Sequence, residues 1–216
     1  MPDLSGSKSF GSPPPPPVAE LDLRIARLLA AQSQPAAVKI VRYREISGTG
    51  ELITTRPLPI TATGCLRDYR LKTVTCPPCA GRPLVAYKTL NCLENLLARR
   101  AAREAGCDEA LFITHAPDAL VLEGSATTLF IVKAGIVRTP PLALGILPGI
   151  ARARVLAHLG PERARKETVS REALFAADEV FVTNALTGVM PVSRIDRRDF
   201  PSVAPVTAAL AAFFNH

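Results

Sequence analysis

Residues 83–110, which read PLVAYKTLNCLENLLARRAAREAGCDEA, decide how this chain folds. An apolar run, residues 84–87, leads directly into Lys88, and a polar turn with Thr89 and Asn91 follows. Apolar residues then recur at three- and four-residue steps, at Leu90, Leu93, Leu97, Ala101 and Ala105. This pattern predicts a buried strand, a turn and an amphipathic helix. Lys88 is therefore predicted to lie where the strand ends and the helix approaches.

A lysine at the end of a buried strand has two interpretations. Position alone favours the first, in which the aliphatic stem packs along the strand while the ammonium reaches water. In the second, burial lowers the pKa of the amine, because the charged form is poorly solvated. A neutral amine can attack an aldehyde and form an imine, so Lys88 is also a candidate nucleophile.

Composition limits the classes to which the chain can belong. With 216 residues, 48% of them hydrophobic, it can bury a sizeable core in one or two compact domains. No apolar stretch approaches the roughly 20 residues of a membrane span, and no secretory signal is expected. The five cysteines are an odd number, which predicts reduced thiols and a cytoplasmic protein.

The net charge of +7 raises the question of nucleic-acid binding. The arginines are scattered through predicted helices and loops with few aromatic residues between them, so no stacking platform is visible. We therefore expect a solvated basic surface that attracts anionic small molecules, with neither nucleic acid nor membrane as a partner.

The order of elements predicts an α+β protein. Residues 1–17 are rich in Ser, Gly and Pro and are predicted to be a disordered tail. Residues 18–82, with a helix at 18–32 and strands at 38–45 and 70–76, are predicted to form a small α+β domain. Residues 83–216 are predicted to form a larger mixed domain. Its strands are expected at 110–114, 120–123, 129–132, 136–137, 179–183 and 189–192, and its later helices at 150–158, near 170–174 and at 203–214.

The pair Cys76 and Cys79 has the CxxC spacing of zinc and redox sites. A zinc site needs further ligands at matching spacing, and none is found. A redox CxxC usually opens a helix, which the two intervening prolines and the following AGRP do not favour. We predict a plain loop and no metal.

Two further features can be combined with Lys88. Glu123 ends the apolar run LVLE, and small-residue turns occur in LPGIAR (147–152) and TNALTG (183–188). Such turns expose backbone N–H groups that suit a phosphate, and the first opens a helix. A lysine, a carboxylate and a phosphate cup are the minimum needed to hold pyridoxal phosphate. Each feature also has a purely structural explanation, since a glutamate can cap a turn and glycines often only reverse the chain.

The sequence resembles the fold-type IV pyridoxal-phosphate enzymes, the class IV aminotransferase family. The matching stretches are YKTLNCLENLLARRAAREAGCDEALFI (87–113), LEGSATTLFIV (122–132), LPGIARARV (147–155) and VFVTNALTGVMPV (180–192). Within the family, KTLNxLEN and NALTGVMPV are most similar to the aminodeoxychorismate lyases of folate biosynthesis. The resemblance implies a homodimer and an amino substrate that carries a carboxylate.

The resemblance also implies roles for individual residues. Lys88 would form the imine with the cofactor and move protons, Glu123 would pair with the pyridine nitrogen, and Leu147 would pack near the ring. The phosphate would be held by the backbone N–H groups of Gly149, Ile150, Ala151, Asn184 and Ala185. Ala151 replaces a common threonine, and Cys92 a common Tyr or Arg.

The implied reaction has alternatives. A lyase would convert 4-amino-4-deoxychorismate to 4-aminobenzoate and pyruvate, whereas a transaminase for branched-chain or D-amino acids would use the same catalytic residues. The start of the family's small domain has no counterpart here, so the domain at 18–82 is predicted to be shortened, and a family-derived protein with weak or lost cofactor binding is a third possibility. If the helix at 18–32 matches the family's arginine-bearing helix, Arg27 would be the small-domain phosphate ligand. If it matches the next helix of the family, which is slightly favoured, Arg27 would not have this role.

Overall fold

The computed structural model describes residues 16–34, 36–46, 48–58, 68–77, 80, 83–115, 117, 119–201 and 204–214. Contacts divide the chain into two compact units, Met1–Thr63 and Gly64–His216. The predicted boundary between residues 82 and 83 differs from this division. Strand β3 (Tyr69–Cys76) had been assigned to the small domain, but it pairs with two strands of the second unit. Most of the predicted tail, residues 1–15, and Cys79 lie outside the described residues.

The first unit contains a helix and a hairpin. Helix α1 (Val18–Ala30) is followed by strands β1 (Ala36–Glu45) and β2 (Gly48–Pro57), which pair antiparallel over ten residues. An ion pair of 2.6 Å between Arg24 and Glu51 connects α1 to β2. The predicted helix and first strand are confirmed, and Arg27 lies exposed on α1.

Within the described residues, the second unit forms a sheet of nine strands. Their order is β5-β4-β3-β10-β9-β6-β7-β8, and β11 pairs with β10. The pairs β3–β4, β3–β10 and β7–β8 are parallel, and the others are antiparallel. The strands are β4 (Glu109–Thr114), β5 (Val121–Gly124), β6 (Thr128–Lys133), β7 (Ile136–Thr139), β8 (Ala164–Lys166), β9 (Glu179–Asn184), β10 (Gly188–Ile195) and β11 (Arg198–Asp199).

Strand β10 joins the two halves of this sheet. Its first residues pair with β9 and its last residues pair with β3, with an irregularity between Val192 and Arg194. Strands β6 and β9 are buried almost throughout, as their continuous apolar runs predict. Phe130 and Phe181 stack between them with ring centroids 4.8 Å apart.

The helices of the second unit are α2 (Leu93–Glu104), α3 (Ile150–Arg163), α4 (Arg171–Phe175) and α5 (Pro205–Phe214). Helices α3 and α5 cover one part of the sheet with Val155, Leu159 and Leu210. Gly160 has φ 70° inside α3, so the regular helix stops near its predicted end. None of the helices in the described ranges has the length and apolar character needed to cross a membrane.

The prediction of a buried strand before Lys88 is wrong. Residues Pro83–Ala86 form a single 3-10 turn, closed by a hydrogen bond of 3.1 Å from the Tyr87 N–H to the Leu84 carbonyl. A four-residue apolar run has too few residues for its periodicity to separate a strand from a turn. The hydrogen bond of this segment is made within the turn itself and not with a neighbouring strand.

The apolar repeat that predicts α2 does not face the core of the chain. Leu93, Leu97, Ala101 and Ala105 are exposed, and the buried residues of α2 are Ala98 and Ala102. These two alanines pack with Ala110 of β4, where their small side chains allow a close approach of helix and strand. The leucines of α2 therefore point away from the core of the chain.

Candidate cofactor site

Glu123 lies at the end of β5, half-buried, and it is the centre of the candidate site. Both of its carboxylate oxygens accept a hydrogen bond from the Leu147 N–H, each at 3.2 Å. Burial raises the pKa of Glu123 to about 7. The Leu147 N–H, the Lys88 ammonium and the Arg152 guanidinium oppose this rise, because each favours the ionised carboxylate.

A tight turn brings the Leu147 N–H to this carboxylate. A 3-10 helix, Leu142–Leu144, ends at Gly145, whose φ of 79° is a left-handed conformation that glycine adopts without strain. Ile146 is then buried, which leaves the next backbone N–H directed at Glu123. The two predicted residues Glu123 and Leu147 are therefore in contact, although the contact is made by the backbone of Leu147.

Helix α3 begins immediately after this turn. Its N-cap is Gly149, and no side chain caps the helix. The first N–H groups, including those of Ile150 and Ala151, lie at the positive end of the helix dipole. A Cβ at Gly149 would lie 3.1 Å from Thr128 Oγ1, so a side chain here would crowd the start of β6. This helix terminus is the kind of backbone site that binds phosphate.

The second predicted turn follows β9. The Asn184 side-chain oxygen accepts hydrogen bonds from the Leu186 N–H and the Thr187 N–H at 2.8 Å and from the Thr187 hydroxyl at 3.0 Å. These bonds shape the turn, and Ala185 within it is exposed. The side-chain oxygen of Asn184 is thus committed to its own turn. Thr183, which pairs with Thr128 across β9 and β6, has a buried hydroxyl with no hydrogen-bond partner among the described residues.

Lys88 lies in the segment between the 3-10 turn and α2 and is exposed in the single chain. Its ammonium acts electrostatically on Glu123. The charge of Lys88 therefore reaches Glu123, and the exposure of Lys88 in the single chain agrees with the first of its two interpretations, in which the ammonium reaches water.

Arg152 is a residue of this site that the sequence analysis missed. It is 5% exposed, and its guanidinium donates a hydrogen bond of 2.9 Å to the Pro140 carbonyl. Its charge favours the ionised form of Glu123, while burial lowers the pKa of Arg152 itself. An arginine is unusual at a buried position, but the sequence alone does not show which arginine is buried.

A buried polar cluster supports the turn that follows Glu123. Glu109 is fully buried, and it accepts hydrogen bonds from the Ser125 hydroxyl and, at 3.0 Å, from the Ala110 N–H. Asn95 of α2 donates a hydrogen bond of 3.0 Å to the Ser125 carbonyl. Helix α2 is thus joined to the turn beside Glu123, and burial raises the pKa of Glu109.

These residues fit pyridoxal phosphate. The uncapped start of α3 and the buried Thr183 hydroxyl suit a phosphate group, and the Glu123 carboxylate suits a protonated ring nitrogen. Lys88 carries a primary amine, the group that forms an imine with an aldehyde.

The family model for amino-transferase class IV matches residues 5–195. The chain therefore belongs to the class IV aminotransferase family, and its fold is that of the fold-type IV pyridoxal-phosphate enzymes. The α+β class expected from the sequence is confirmed.

Two curated aminotransferases are similar to this chain in sequence. The D-alanine aminotransferase of Bacillus licheniformis is 36% identical over 121 residues, which are 55% of this chain and 41% of that protein. The branched-chain-amino-acid aminotransferase of Escherichia coli K12 is 35% identical over 117 residues, 53% of this chain and 37% of that protein. The chain thus matches only about two fifths of the length of these curated relatives.

A solved structure matches over more of the chain. It is a Legionella pneumophila protein provisionally named 4-amino-4-deoxychorismate lyase, with a TM-score of 0.82 and 25% identity. The match covers 95% of this chain and 79% of the other.

Proposed function

We propose that the protein binds pyridoxal phosphate and converts 4-amino-4-deoxychorismate to 4-aminobenzoate and pyruvate. The observation that carries the cofactor assignment is the half-buried Glu123 carboxylate, which accepts the Leu147 N–H and is influenced by Lys88 and Arg152. Burial raises the pKa of this carboxylate while two cations act on it, and such a combination is common at functional sites.

Each predicted site residue would have a separate role toward the cofactor. Lys88 Nζ would hold the cofactor carbonyl carbon and, when released, would take a proton from the substrate and return one. Glu123 would accept a hydrogen bond from the protonated ring nitrogen, whose positive charge would keep the carboxylate ionised. Backbone N–H groups of Gly149, Ile150 and Ala151, with those of Asn184 and Ala185, would hold the phosphate, and Leu147 would lie beside the ring. When bound, the cofactor supplies a ring that accepts electrons from the substrate.

The lyase assignment is supported by two observations. The stretches KTLNxLEN and NALTGVMPV resemble the lyase branch of the family, and the Legionella structure matches nearly the whole chain. Transamination of D- or branched-chain amino acids is the second candidate, because the aminotransferase relatives are more similar in sequence, at 35–36% identity. Both reactions use an amino substrate with a carboxylate, and both would use Lys88 in the same way.

We also propose a homodimer. Five leucines near Lys88 (Leu84, Leu90, Leu93, Leu96 and Leu97) are between 50 and 64% exposed, and together they are named the leucine surface. Apolar surface of this kind, gathered on one helix and the segment before it, is typical of subunit interfaces. A second copy of the chain covering it would also remove water from around Lys88.

A cytoplasmic location is proposed from the thiols. Cys92 and Cys107, among the described residues, are not in disulfides, which fits a reducing compartment. The competing proposal is a family-derived protein that no longer holds the cofactor.

Cofactor binding is tested by absorbance. Purified protein is saturated with pyridoxal phosphate, dialysed and compared with Lys88→Ala and with Lys166→Ala, an exposed lysine on β8. We expect a visible band that survives dialysis in the wild type and in Lys166→Ala but not in Lys88→Ala. Borohydride reduction followed by peptide mass spectrometry should place the cofactor on Lys88. A colourless wild type would support the family-derived protein without cofactor.

The reaction is tested on the same preparations. Pyruvate and 4-aminobenzoate released from 4-amino-4-deoxychorismate are measured beside 2-oxo acid exchange with D-alanine and leucine. Release without exchange supports the lyase, and exchange without release supports the transaminase. Protein that retains the cofactor yet performs neither reaction would overturn both assignments while leaving the cofactor site intact.

A further inference from the structure

The strongest feature that the proposed function does not use is an open basic depression of about 670 Å³ in the second unit. Four cations line it: Lys72, Arg171, Arg197 and Arg198. Asp196 is the single carboxylate among its described lining residues, and Ala105, Cys107 and Phe175 contribute apolar or weakly polar surface.

This depression lies at the opposite ends of the elements that form the candidate cofactor site. It includes Asp196, which directly follows the last residue of β10, whereas the first residue of that strand, Gly188, follows the Asn184 turn. It also includes Ala105, the C-cap of α2, whereas Lys88 precedes the start of α2. The twelve residues of α2 alone span about 18 Å at 1.5 Å per residue. The two regions are therefore separate sites.

Asp196, the one carboxylate among the described lining residues, already has partners within the protein. Asp196 accepts hydrogen bonds from the Thr73 N–H at 3.0 Å and the Thr73 hydroxyl at 2.6 Å, and it pairs with Lys72 at 3.3 Å. Asp199, close by on β11, pairs with Arg194 at 2.6 Å. In the part of the chain that the structure describes, no carboxylate forms a salt bridge with the three arginines of the depression.

Arg197 and Arg198 lie in and directly after a connection that is hydrogen-bonded to β3. Asp196 and Arg197 form the two-residue connection between β10 and β11, with Asp196 at φ 51°. The Asp196 N–H donates a hydrogen bond of 2.9 Å to the Leu71 carbonyl, which fixes the connection to β3. The Arg171 guanidinium lies 5.4 Å from the centre of the Phe175 ring, and that of Arg198 lies 5.8 Å from the Phe200 ring. A guanidinium over an aromatic face keeps its N–H edge available for an anion.

We infer that this depression binds a small organic molecule with an apolar body and a phosphate group. Arg171 and Arg197 would contact the phosphate, since guanidinium groups match its oxygens in pairs. The ring of Phe175 would contact the apolar part. Lys72 contributes less, because Asp196 neutralises it.

Phenyl phosphate is the probe, and inorganic phosphate is the comparison. Binding is measured by calorimetry on protein that has been saturated with pyridoxal phosphate and then dialysed. The phosphate site at α3 is then filled if it exists, and no free cofactor competes for the depression. Three forms are compared: the wild type, Arg171→Gln/Arg197→Gln, and the control Arg163→Gln/Arg165→Gln. The control pair is exposed and gives the same change in net charge. Thermal unfolding of each form checks that it is folded.

The wild type should bind phenyl phosphate with a Kd below about 1 mM and more tightly than inorganic phosphate. The depression variant should bind about a hundredfold more weakly, roughly tenfold for each guanidinium lost, with the control unchanged. Binding should also weaken at high salt. No saturable binding by the wild type, or equal losses in both variants, would overturn the proposal. Because the reporter is binding and not activity, a failed cofactor assignment would leave this test intact.

Discussion

Helices α2 and α3 both begin beside the candidate cofactor site, yet they face opposite environments. Helix α3 buries Ala151, Arg152, Val155 and Leu159. Leu147, which precedes its uncapped first turn, donates a backbone hydrogen bond to Glu123. Helix α2 buries only two alanines and exposes its leucines. Both sequences repeat apolar residues at helical spacing, so the repeat identifies a helix but not the partner of its apolar face. The partner of α3 is its own sheet, whereas that of α2 is proposed to be a second chain.

The largest expected effect is a loss of dimer affinity when the exposed leucines of α2 are replaced. The double substitution Leu93→Glu/Leu97→Glu removes two leucines from each copy, four in a symmetric dimer. If each half-exposed leucine contributes about 1 kcal/mol on burial, the dimer should weaken by roughly a thousandfold. Sedimentation equilibrium measures the change.

Leu23→Glu, an exposed leucine of α1, is the control for this experiment and should leave the dimer intact. A wild type that is monomeric at high concentration would contradict the proposal that a second copy covers the leucine surface. So would a double variant that remains dimeric.

The next effect concerns Glu123. It interacts with Lys88, which precedes α2, and with Leu147, which precedes α3. Its pKa is raised from 4.5 to about 7, so the folded protein holds a proton that the unfolded chain has released in this interval. The stabilisation from Glu123 is therefore present below about pH 4.5 and is lost as the pH rises through 7. Without cofactor, Glu123→Gln should gain about 3 kcal/mol relative to the wild type between pH 4.5 and 8.

Urea denaturation across this pH range measures the difference. Glu162→Gln, an exposed glutamate on α3, is the matched control and should follow the wild type at every pH. Wild-type and Glu123→Gln curves that stay parallel would show that burial of this carboxylate does not control its titration.

The smallest effect compares the two helices directly. Val155→Ala removes two methyl groups from a fully buried position on α3 and should lower the free energy of unfolding by about 2 kcal/mol. Leu93→Ala removes more atoms from an exposed position on α2, yet it should change that free energy by less than about 0.5 kcal/mol. Both are measured by urea denaturation at a protein concentration where the dimer dissociates. Equal losses would show that Leu93 is packed within its own chain.

Much of the fold was predictable because its signals are local. The strands around Leu111, Leu129 and Phe181 are short apolar runs bounded by turn residues, and they were placed within one or two residues. The parallel pairing of β3 with β4 and β10 was not predictable, because it joins residues far apart in sequence. For that reason β3 was assigned to the wrong part of the chain.

The candidate site shows the same division. The sequence by itself determined which residue types were available: a lysine before a helix, a glutamate after an apolar run and glycine turns at LPG and LTG. Only the tertiary structure decided that the Leu147 N–H donates to Glu123 and that the Asn184 side-chain oxygen is used in its own turn. It also decided that Arg152 and Glu109 are buried. Burial and hydrogen bonding depend on which distant segments meet, and periodicity along the chain carries no information on that choice.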